Sequence, residues 1–233
     1  CVLGLATGVS PIKLYQELVR MHREEGVSFR NVVTFNLDEY LPMPKESEQS
    51  YHYFMHHHLF DHIDIDPKNI HIPDGTLKAE EIENFCKEYE RQIEAAGGID
   101  IQVLGIGRTG HIGFNEPGSP LTSKTRMVYL DDLTIKDAAG DFGGMENVPS
   151  RAITMGVGTI MKARKVILLA WGEKKASIIK ATVEGSVSDA VPATFLQVHP
   201  NVQFVIDESA AEELTRANQP WLVSKVQWND KLI

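Results

Sequence analysis

The feature that most constrains the fold is an apolar run over residues 99–104 that leads directly into a glycine-rich segment, GIGRTGHIGFNEPG, at residues 105–118. Such a run is typical of a buried strand. Glycine backbone can approach a ligand closely and direct its N–H groups at it. His111 and Glu116 lie in the same segment, and an imidazole followed by a carboxylate supplies acid–base chemistry near neutral pH. The segment therefore predicts a ligand-binding loop at the end of a strand.

The first six residues of this loop, GIGRTG, also match the dinucleotide pattern G-x-G-x-x-G. That pattern requires a helix that begins at its third glycine, so that the pyrophosphate lies at the helix N-terminus. The glycines and prolines at positions 113, 117, 118 and 120 disfavour a regular helix there. We therefore expect no nucleotide cofactor. A purely structural glycine loop would not need His111 and Glu116 together.

Strand-like and helix-like segments alternate along the rest of the chain. Strands are predicted at residues 1–5, 31–36, 99–104, 165–171 and 201–206, and helices at residues 11–25, 50–62, 78–96, 159–163, 172–184 and 208–216, while residues 122–144 are predicted to be irregular. This alternation predicts an α/β fold, a Rossmann-like three-layer domain with a largely parallel sheet flanked by helices. We expect one domain over residues 1–218 whose N-terminal part precedes Cys1, followed by a tail or linker over residues 219–233.

Thr7, Gly8 and Ser10 form the turn between the first strand and the first helix. Ser10 is a good N-cap, and Pro11 suits the first helical position. The N–H groups and hydroxyls of such a turn can bind phosphate. A plain capped turn is the common alternative.

Asp38 follows the second strand, and Lys175 follows the strand at residues 165–171. Asp38 and Glu39 cannot both point into one site, because side chains alternate along extended backbone. One carboxylate suits a general base, whereas a capping or solvated acid pair is the alternative. Lys175 lies near a helix N-terminus, against the dipole preference, which indicates an anion that it holds, although an exposed lysine is possible. Since ligands of parallel sheets bind beyond strand carboxyl ends, these features should share one site.

Histidines are concentrated at residues 50–62, SYHYFMHHHLFDH. His52 and His56, and likewise His58 and His62, have the i, i+4 spacing of metal ligands on a helix. The three consecutive histidines fan round a helix, however, so they cannot share one ion. We interpret the segment as an amphipathic surface helix and expect no metal.

The net charge of −9, without a basic run, argues against nucleic acid or an anionic membrane as a partner. No apolar run is long enough for a membrane span. Two cysteines, Cys1 and Cys86, do not make a disulfide framework, so a cytoplasmic location is expected. Any anionic substrate must be bound by groups at the binding site itself, because the net charge of the protein does not attract an anion.

The motifs LATGVSPIKLY, VTFNLDEY, GIGRTGHIGFNEPGS, VGVGTIMKA and WGEKKA, in this order, resemble the glucosamine-6-phosphate deaminase (isomerising) family. The resemblance covers nearly the whole chain, to about residue 216. The related 6-phosphogluconolactonases share the fold and a similar loop but typically lack the FNEPG ending. The resemblance implies conversion of glucosamine 6-phosphate and water to fructose 6-phosphate and ammonium, without a cofactor, in a protein that is often a homo-oligomer.

The resemblance also implies roles for individual residues. Asp38 would move a proton from C2 to C1 of the sugar, His111 would assist ring opening, and Glu116 would orient and charge-balance the imidazole. The implied substrate-binding residues are Thr7, Gly8, Ser10, Gly107, Thr109, Gly110 and Lys175, of which Thr7, Gly8, Ser10 and Lys175 would hold the phosphate.

The chain departs from the family pattern at three places. Thr109 stands where an aspartate is common, residues 138–142 lack a phosphate-binding arginine, and Val128 stands where a lysine is expected beside Arg126 at the allosteric site. Activation by an amino-sugar phosphate is therefore not expected. Two other functions stay open, a phosphosugar hydrolase of 6-phosphogluconolactonase type and a non-catalytic sugar-phosphate sensor.

Overall fold

A computed structural model describes residues 1–218, and the predicted tail over residues 219–233 lies outside the described residues. The strands are β1 (Val2–Leu5), β2 (Val33–Asn36), β3 (Asp38–Leu41), β4 (Ile70–His71), β5 (Ile101–Leu104), β6 (Arg126–Tyr129), β7 (Arg151–Thr154), β8 (Lys165–Ala170) and β9 (Val202–Ile206). The helices are α1 (Ile12–Glu25), α2 (Tyr51–His58), α3 (Ala79–Ala95), α4 (Asp132–Ala138), α5 (Val157–Ile160), α6 (Ala176–Glu184), α7 (Glu208–Ala211) and α8 (Thr215–Asn218). Short 3₁₀ turns lie at Phe60–His62, Pro67–Asn69, Met145–Asn147, Glu173–Lys175 and Pro192–Val198.

Six strands form one parallel sheet in the order β4-β2-β1-β5-β8-β9. The chain adds strands on one side of β1 and then, from β5 onwards, on the other side. This reversal opens a crevice at the carboxyl ends of β1 and β5, where ligands of such sheets bind. The prediction of an α/β domain with a largely parallel sheet is confirmed.

Helices pack on this sheet through two buried apolar clusters. One cluster joins Leu5 of β1 to Tyr15 of α1 and Met55 of α2. The other joins the buried residues of β5 and β8 to Tyr89 of α3 and Ile179 of α6. The buried residues of α3 include one acid beside its apolar side chains. Glu90 is buried and accepts hydrogen bonds from the side chains of Thr125 and Thr159, at 2.5 and 2.7 Å.

A second, antiparallel sheet in the order β3-β7-β6 was not expected from the sequence. The prediction that residues 122–144 are irregular is wrong, because β6 and α4 lie within them. Both elements are short, and pairing with a distant strand, rather than a local pattern, stabilises β6. Asp131 begins α4 by accepting a hydrogen bond from the Leu133 N–H at 2.8 Å.

Three helix boundaries also differ from the prediction. Ser10 is not the N-cap of α1. The helix begins at Ile12, its N-cap position is occupied by Pro11, and no side chain caps this end. The helix predicted at residues 159–163 lies at Val157–Ile160, where Val157 and Ile160 are fully buried. The helix predicted at residues 208–216 is divided into α7 and α8, and the intervening turn buries Leu214. The predicted end of the first helix at Gly26, with φ of 74°, is confirmed.

Glu39 points away from Asp38 and toward the N-terminus of α2. Its side chain is buried and accepts hydrogen bonds from the N–H groups of Tyr40, Tyr51 and His52, at 2.9, 3.1 and 3.0 Å. A carboxylate at this position satisfies helix N–H groups that have no partner within the helix. Burial raises the pKa of Glu39 to about 7, in spite of these donors. The predicted division of the two acids between two directions is therefore confirmed.

Replacement of Glu39 by alanine should lower the free energy of unfolding by about 2–4 kcal/mol, because three buried N–H groups lose their acceptor. Urea unfolding followed by circular dichroism measures the change. Glu48→Ala, at an exposed position in the segment before α2, is the matched control and should change stability by less than about 0.5 kcal/mol. Equal stability of Glu39→Ala and the wild-type protein would show that Glu39 does not hold α2.

Candidate active site

A cavity of about 390 Å³ opens at the carboxyl ends of β1 and β5, where the strand order reverses. The predicted site residues on its wall are Thr7, Gly8, Ser10, Asp38, Gly107, His111 and Lys175. Three further predicted residues, Thr109, Gly110 and Glu116, lie outside this lining set. A larger cavity of about 690 Å³ lies between α3 and β6, and none of the predicted site residues lines it.

Asp38 is the buried acid of the smaller cavity. It begins β3 and lies opposite Thr154 of β7, so the second sheet fixes its position. Its side chain is 5% exposed, and burial, together with the neighbouring charge of Glu39, raises its pKa to about 8. A carboxyl group with a pKa near neutrality can both accept and donate a proton.

His111 and Glu116 form a hydrogen-bonded pair in the glycine-rich loop. The Nδ1 atom of His111 lies 3.1 Å from the Oε2 atom of Glu116. Thr109 is within 3.1 Å of the same nitrogen and donates to Oε2 at 3.2 Å. Burial pushes the pKa of Glu116 upward, but hydrogen bonds from His111, Thr134 and Thr109 outweigh it and hold that pKa below its ordinary value. The pair is therefore an imidazole supported by an ionised carboxylate.

Thr134 of α4 completes this group, and the sequence analysis missed it. Its hydroxyl donates to the Oε1 atom of Glu116 at 2.6 Å, so both carboxylate oxygens are engaged. Thr134 was overlooked because residues 122–144 were interpreted as irregular. The available signal was Asp131, which is a preferred N-cap residue and is followed by helix-compatible residues.

Two glycines of the loop are required by close packing. A Cβ atom on Gly107 would lie 2.1 Å from the Nε2 atom of His111, so the imidazole rests on this backbone. Gly113 has φ of +56°, and a Cβ atom there would lie 3.2 Å from the Oδ2 atom of Asp38. Both glycines thus let the backbone pass close to the two reactive side chains. The third glycine of the G-x-G-x-x-G pattern, Gly110, begins no helix, and Val191 packs against it.

The turn that contains Thr7, Gly8 and Ser10 faces the same cavity. No hydrogen bond within residues 1–218 uses the backbone N–H of Gly8 or Ser10. Lys175, just before α6, donates from Nζ to the Ile106 carbonyl oxygen at 2.7 Å, and burial holds its pKa below the ordinary value. Free N–H groups and a partly desolvated ammonium together form a candidate anion-binding end of the cavity.

Two aromatic residues of the wall were also missed. Tyr51, the first residue of α2, lines the cavity, and its ring packs against the rings of Tyr40 and Phe114. Trp171 follows β8 and donates from its ring N–H to the Ser10 carbonyl oxygen at 2.9 Å. Nothing in the local sequence separates these aromatic residues from ordinary core positions.

The histidines of α2 have other partners. His56 lies 2.7 Å from Asp61 and stacks on His52. Across residues 1–218, no group of three or more His, Cys, Asp or Glu side chains is arranged to hold a metal ion.

The fold and the cavity define a doubly wound α/β protein with a candidate acid–base centre and an anion-binding turn at the sheet switch point. A sequence profile for the family described as glucosamine-6-phosphate isomerases/6-phosphogluconolactonase matches residues 1–205. The chain belongs to this family.

Individual relatives agree with this assignment. The chain is 51% identical over 210 residues to the glucosamine-6-phosphate deaminase of Thermoanaerobacter pseudethanolicus. The aligned region covers 90% of this chain and 82% of that relative. It is 53% identical over all 233 residues to a glucosamine-6-phosphate deaminase-like protein of Bacteroides thetaiotaomicron, of which it spans 35%. A solved monomeric glucosamine-6-phosphate deaminase superposes with a TM-score of 0.88 at 42% identity, over 91% of this chain and 87% of that chain.

The raised pKa of Asp38 predicts a pH-dependent cost of stability. The folded-state pKa of about 8 lies above the ordinary 3.8, so the folded protein binds this proton more tightly than the unfolded chain. Wild-type stability should therefore fall as the pH rises from about 5 to about 8.5, as the buried group ionises. Asp38→Asn should have a higher melting temperature than the wild type at the upper pH. Its melting temperature should also fall less steeply as the pH rises.

Differential scanning calorimetry across this pH range tests the prediction. Asp189→Asn, at an exposed position, is the control and should follow the wild-type curve. Ionisation of Glu39, whose pKa is also raised, to about 7, lowers the stability of all three proteins as the pH rises. Parallel curves for the wild type and Asp38→Asn would refute a raised pKa at Asp38.

Proposed function

We propose that the protein is an isomerising deaminase that converts glucosamine 6-phosphate and water to fructose 6-phosphate and ammonium. The observation that carries the proposal is Asp38, a buried carboxyl group that shares one cavity with His111. Membership of the family, and 51% identity to the Thermoanaerobacter deaminase, support this choice of reaction.

The anion-binding end of the cavity would hold the substrate phosphate. The N–H groups and hydroxyls of Thr7, Gly8 and Ser10 supply neutral donors, and Lys175 supplies positive charge. Binding at this end orients the sugar, so that its C1 and C2 atoms extend toward Asp38 and His111. Gly107 forms the wall between the two ends.

His111 would assist ring opening. A carboxylate acceptor at Nδ1 favours the tautomer that carries its proton there and leaves Nε2 free as a base. In the proposed step, Nε2 takes the proton of the C1 hydroxyl and returns it to the ring oxygen. Glu116 stabilises the transient imidazolium. Thr109 and Thr134 hold that carboxylate by hydrogen bonds. Because both threonines are neutral, Glu116 supplies the negative charge of this group.

Asp38 would then isomerise the open chain. Its carboxylate takes the C2 proton while the substrate ammonium group passes a proton to the C1 oxygen, which gives a neutral enolamine. Asp38 then delivers its proton to C1, which leaves an iminium at C2. Water adds to C2, and ammonia leaves as the C2 ketone forms. A pKa of about 8 suits this exchange, since the group must gain and lose one proton within each turnover.

A phosphosugar hydrolase of 6-phosphogluconolactonase type is the second candidate. The matching family profile includes that activity, and a lactonase acting through His111 would use the same loop. It would not need Asp38. A non-catalytic sugar-phosphate sensor is the third candidate function. It is favoured by the neutral Thr109, which stands where the family commonly has an aspartate.

We also propose a cytoplasmic location and, from the family resemblance alone, a homo-oligomeric state, although the solved relative described above is monomeric. Cys1 is exposed and Cys86 is buried, so the two thiols are not paired, which suits a reducing compartment. None of the helices within residues 1–218 is long and apolar enough to cross a membrane. Size-exclusion chromatography with light scattering would measure the oligomeric state.

The deaminase proposal predicts equal release of ammonium and fructose 6-phosphate from glucosamine 6-phosphate. Asp38→Asn and His111→Ala should each lower kcat by about 10²-fold or more, because each removes a proton-transfer group. Both variants should still bind the phosphosugar, which thermal stabilisation by glucosamine 6-phosphate would report. Glu48→Ala again serves as the exposed control and should retain full turnover.

Each alternative gives a different outcome. Hydrolysis of 6-phosphogluconolactone that survives in Asp38→Asn but not in His111→Ala would indicate the hydrolase. Stabilisation by phosphosugar, without turnover of either substrate, would indicate the sensor. Near wild-type ammonium release by both variants would disprove the assigned roles.

A further inference from the structure

The anion-binding end of the cavity carries little positive charge for a phosphate ester. Within the part of the chain that the structure describes, Lys175 is the only lysine or arginine on the cavity wall. One of the three donors of Lys175 is used by the Ile106 carbonyl. A phosphate monoester brings nearly two negative charges at neutral pH. The overall charge of −9 supplies no attraction, so a second local cation is needed.

Arg108 is the candidate for that cation that follows the cavity-lining part of the loop directly in sequence. It follows Ile106 and Gly107, which both line the cavity. Its guanidinium binds Asp137 of α4 through two contacts, Nε to Oδ2 at 2.9 Å and Nη2 to Oδ1 at 2.7 Å. Besides burial, the charges of Asp137 and Arg108 both act on the pKa of Lys175, Asp137 raising it and Arg108 lowering it. The pair therefore lies within electrostatic reach of the phosphate end.

The ion pair is easily exchanged. The two side chains are 47% and 49% exposed, and an ion pair between exposed groups contributes little net stability. A phosphate dianion offers the same bidentate geometry as a carboxylate, with more charge. Arg108 can therefore exchange Asp137 for a phosphate without leaving a charge buried and unpaired.

We propose that Arg108 is a phosphate-binding residue at the mouth of the cavity, and that Asp137 competes with the substrate phosphate for its guanidinium. The proposal rests on the proposed function for the phosphosugar, but the binding of phosphate alone can test it. It predicts opposite effects for the two partners of one ion pair. Loss of Arg108 weakens phosphate binding, whereas loss of the Asp137 charge frees Arg108 and strengthens it.

Isothermal titration calorimetry with inorganic phosphate and with glucose 6-phosphate gives the affinities of the wild type, Arg108→Ala, Asp137→Asn and the double variant. Arg108→Ala should weaken binding of both ligands by about tenfold or more, the expected loss of a charge-assisted contact. Asp137→Asn should tighten binding a few-fold in the wild-type background and have no such effect in Arg108→Ala. Arg164→Ala is the matched control, because Arg164 also pairs with an exposed aspartate, Asp100, but precedes β8 at the opposite end of the sheet.

Several outcomes would overturn the proposal. If Arg108→Ala and Asp137→Asn weaken binding equally, the pair only holds α4 in place. If Asp137→Asn tightens binding equally with and without Arg108, Asp137 acts through its own charge. Unchanged affinity in Arg108→Ala refutes the contact outright. A wild type that binds phosphate but releases no ammonium contradicts the proposed deaminase alone, since the affinity contrast still tests Arg108.

Turnover adds a second readout if the wild type is active. Arg108→Ala should raise KM for glucosamine 6-phosphate much more than it lowers kcat, because the proposed contact is with the phosphate and not with the reacting carbon atoms. Arg108→Lys should recover part of the loss, since it restores the charge but not the bidentate fork. A fall in kcat with unchanged KM would instead indicate an effect through the loop on His111 and would contradict a phosphate contact.

Discussion

The position of the glycine-rich loop depends on the hydrogen bonds of one buried side chain, Asn115. Its amide donates to the carbonyl oxygens of Ile112 and Met155, both at 2.8 Å, and its carbonyl oxygen accepts from Arg126 at 2.8 Å. The loop is thereby bound to β6 and to the residue that follows β7. A loop with so many glycines would otherwise have many accessible backbone conformations. Arg126, which the resemblance associates with regulation, has its guanidinium committed in this structure to Asn115 and Ser119.

The second sheet explains how two adjacent acids serve different purposes. Extended backbone at β3 sends Asp38 into the cavity and Glu39 to the N-terminus of α2. Glu39 finds three N–H donors, whereas Asp38 is given no charged partner, so burial acts on it with little opposition. An unpaired buried carboxylate destabilises the fold, and retaining one indicates a functional demand at that position. The same geometry thus caps a helix on one side and places a buried acid in the candidate active site on the other.

Much of the central sheet and of the site could be predicted, because their signals are local. Apolar runs identified the parallel strands except the two-residue β4, and the glycine-rich loop, Asp38 and Lys175 follow those strands in sequence. The second sheet could not be predicted, since its four-residue strands are stabilised by pairing between distant segments. Thr134 and Tyr51 share this difficulty. Each lies on a helix whose position over the cavity is determined by tertiary packing, and neither residue type indicates its role.

The supporting group around His111 shows how the chain can tolerate a neutral residue at position 109. A second carboxylate there would share one imidazole with Glu116, and two like charges at that distance raise the pKa of at least one of them. With Thr109 and Thr134 as donors, Glu116 instead gains hydrogen bonds that lower its pKa. The single negative charge is held firmly, and its orientation is fixed through both oxygens. In the proposed ring opening, an imidazolium at His111 would therefore face one well-positioned carboxylate, which would stabilise its positive charge.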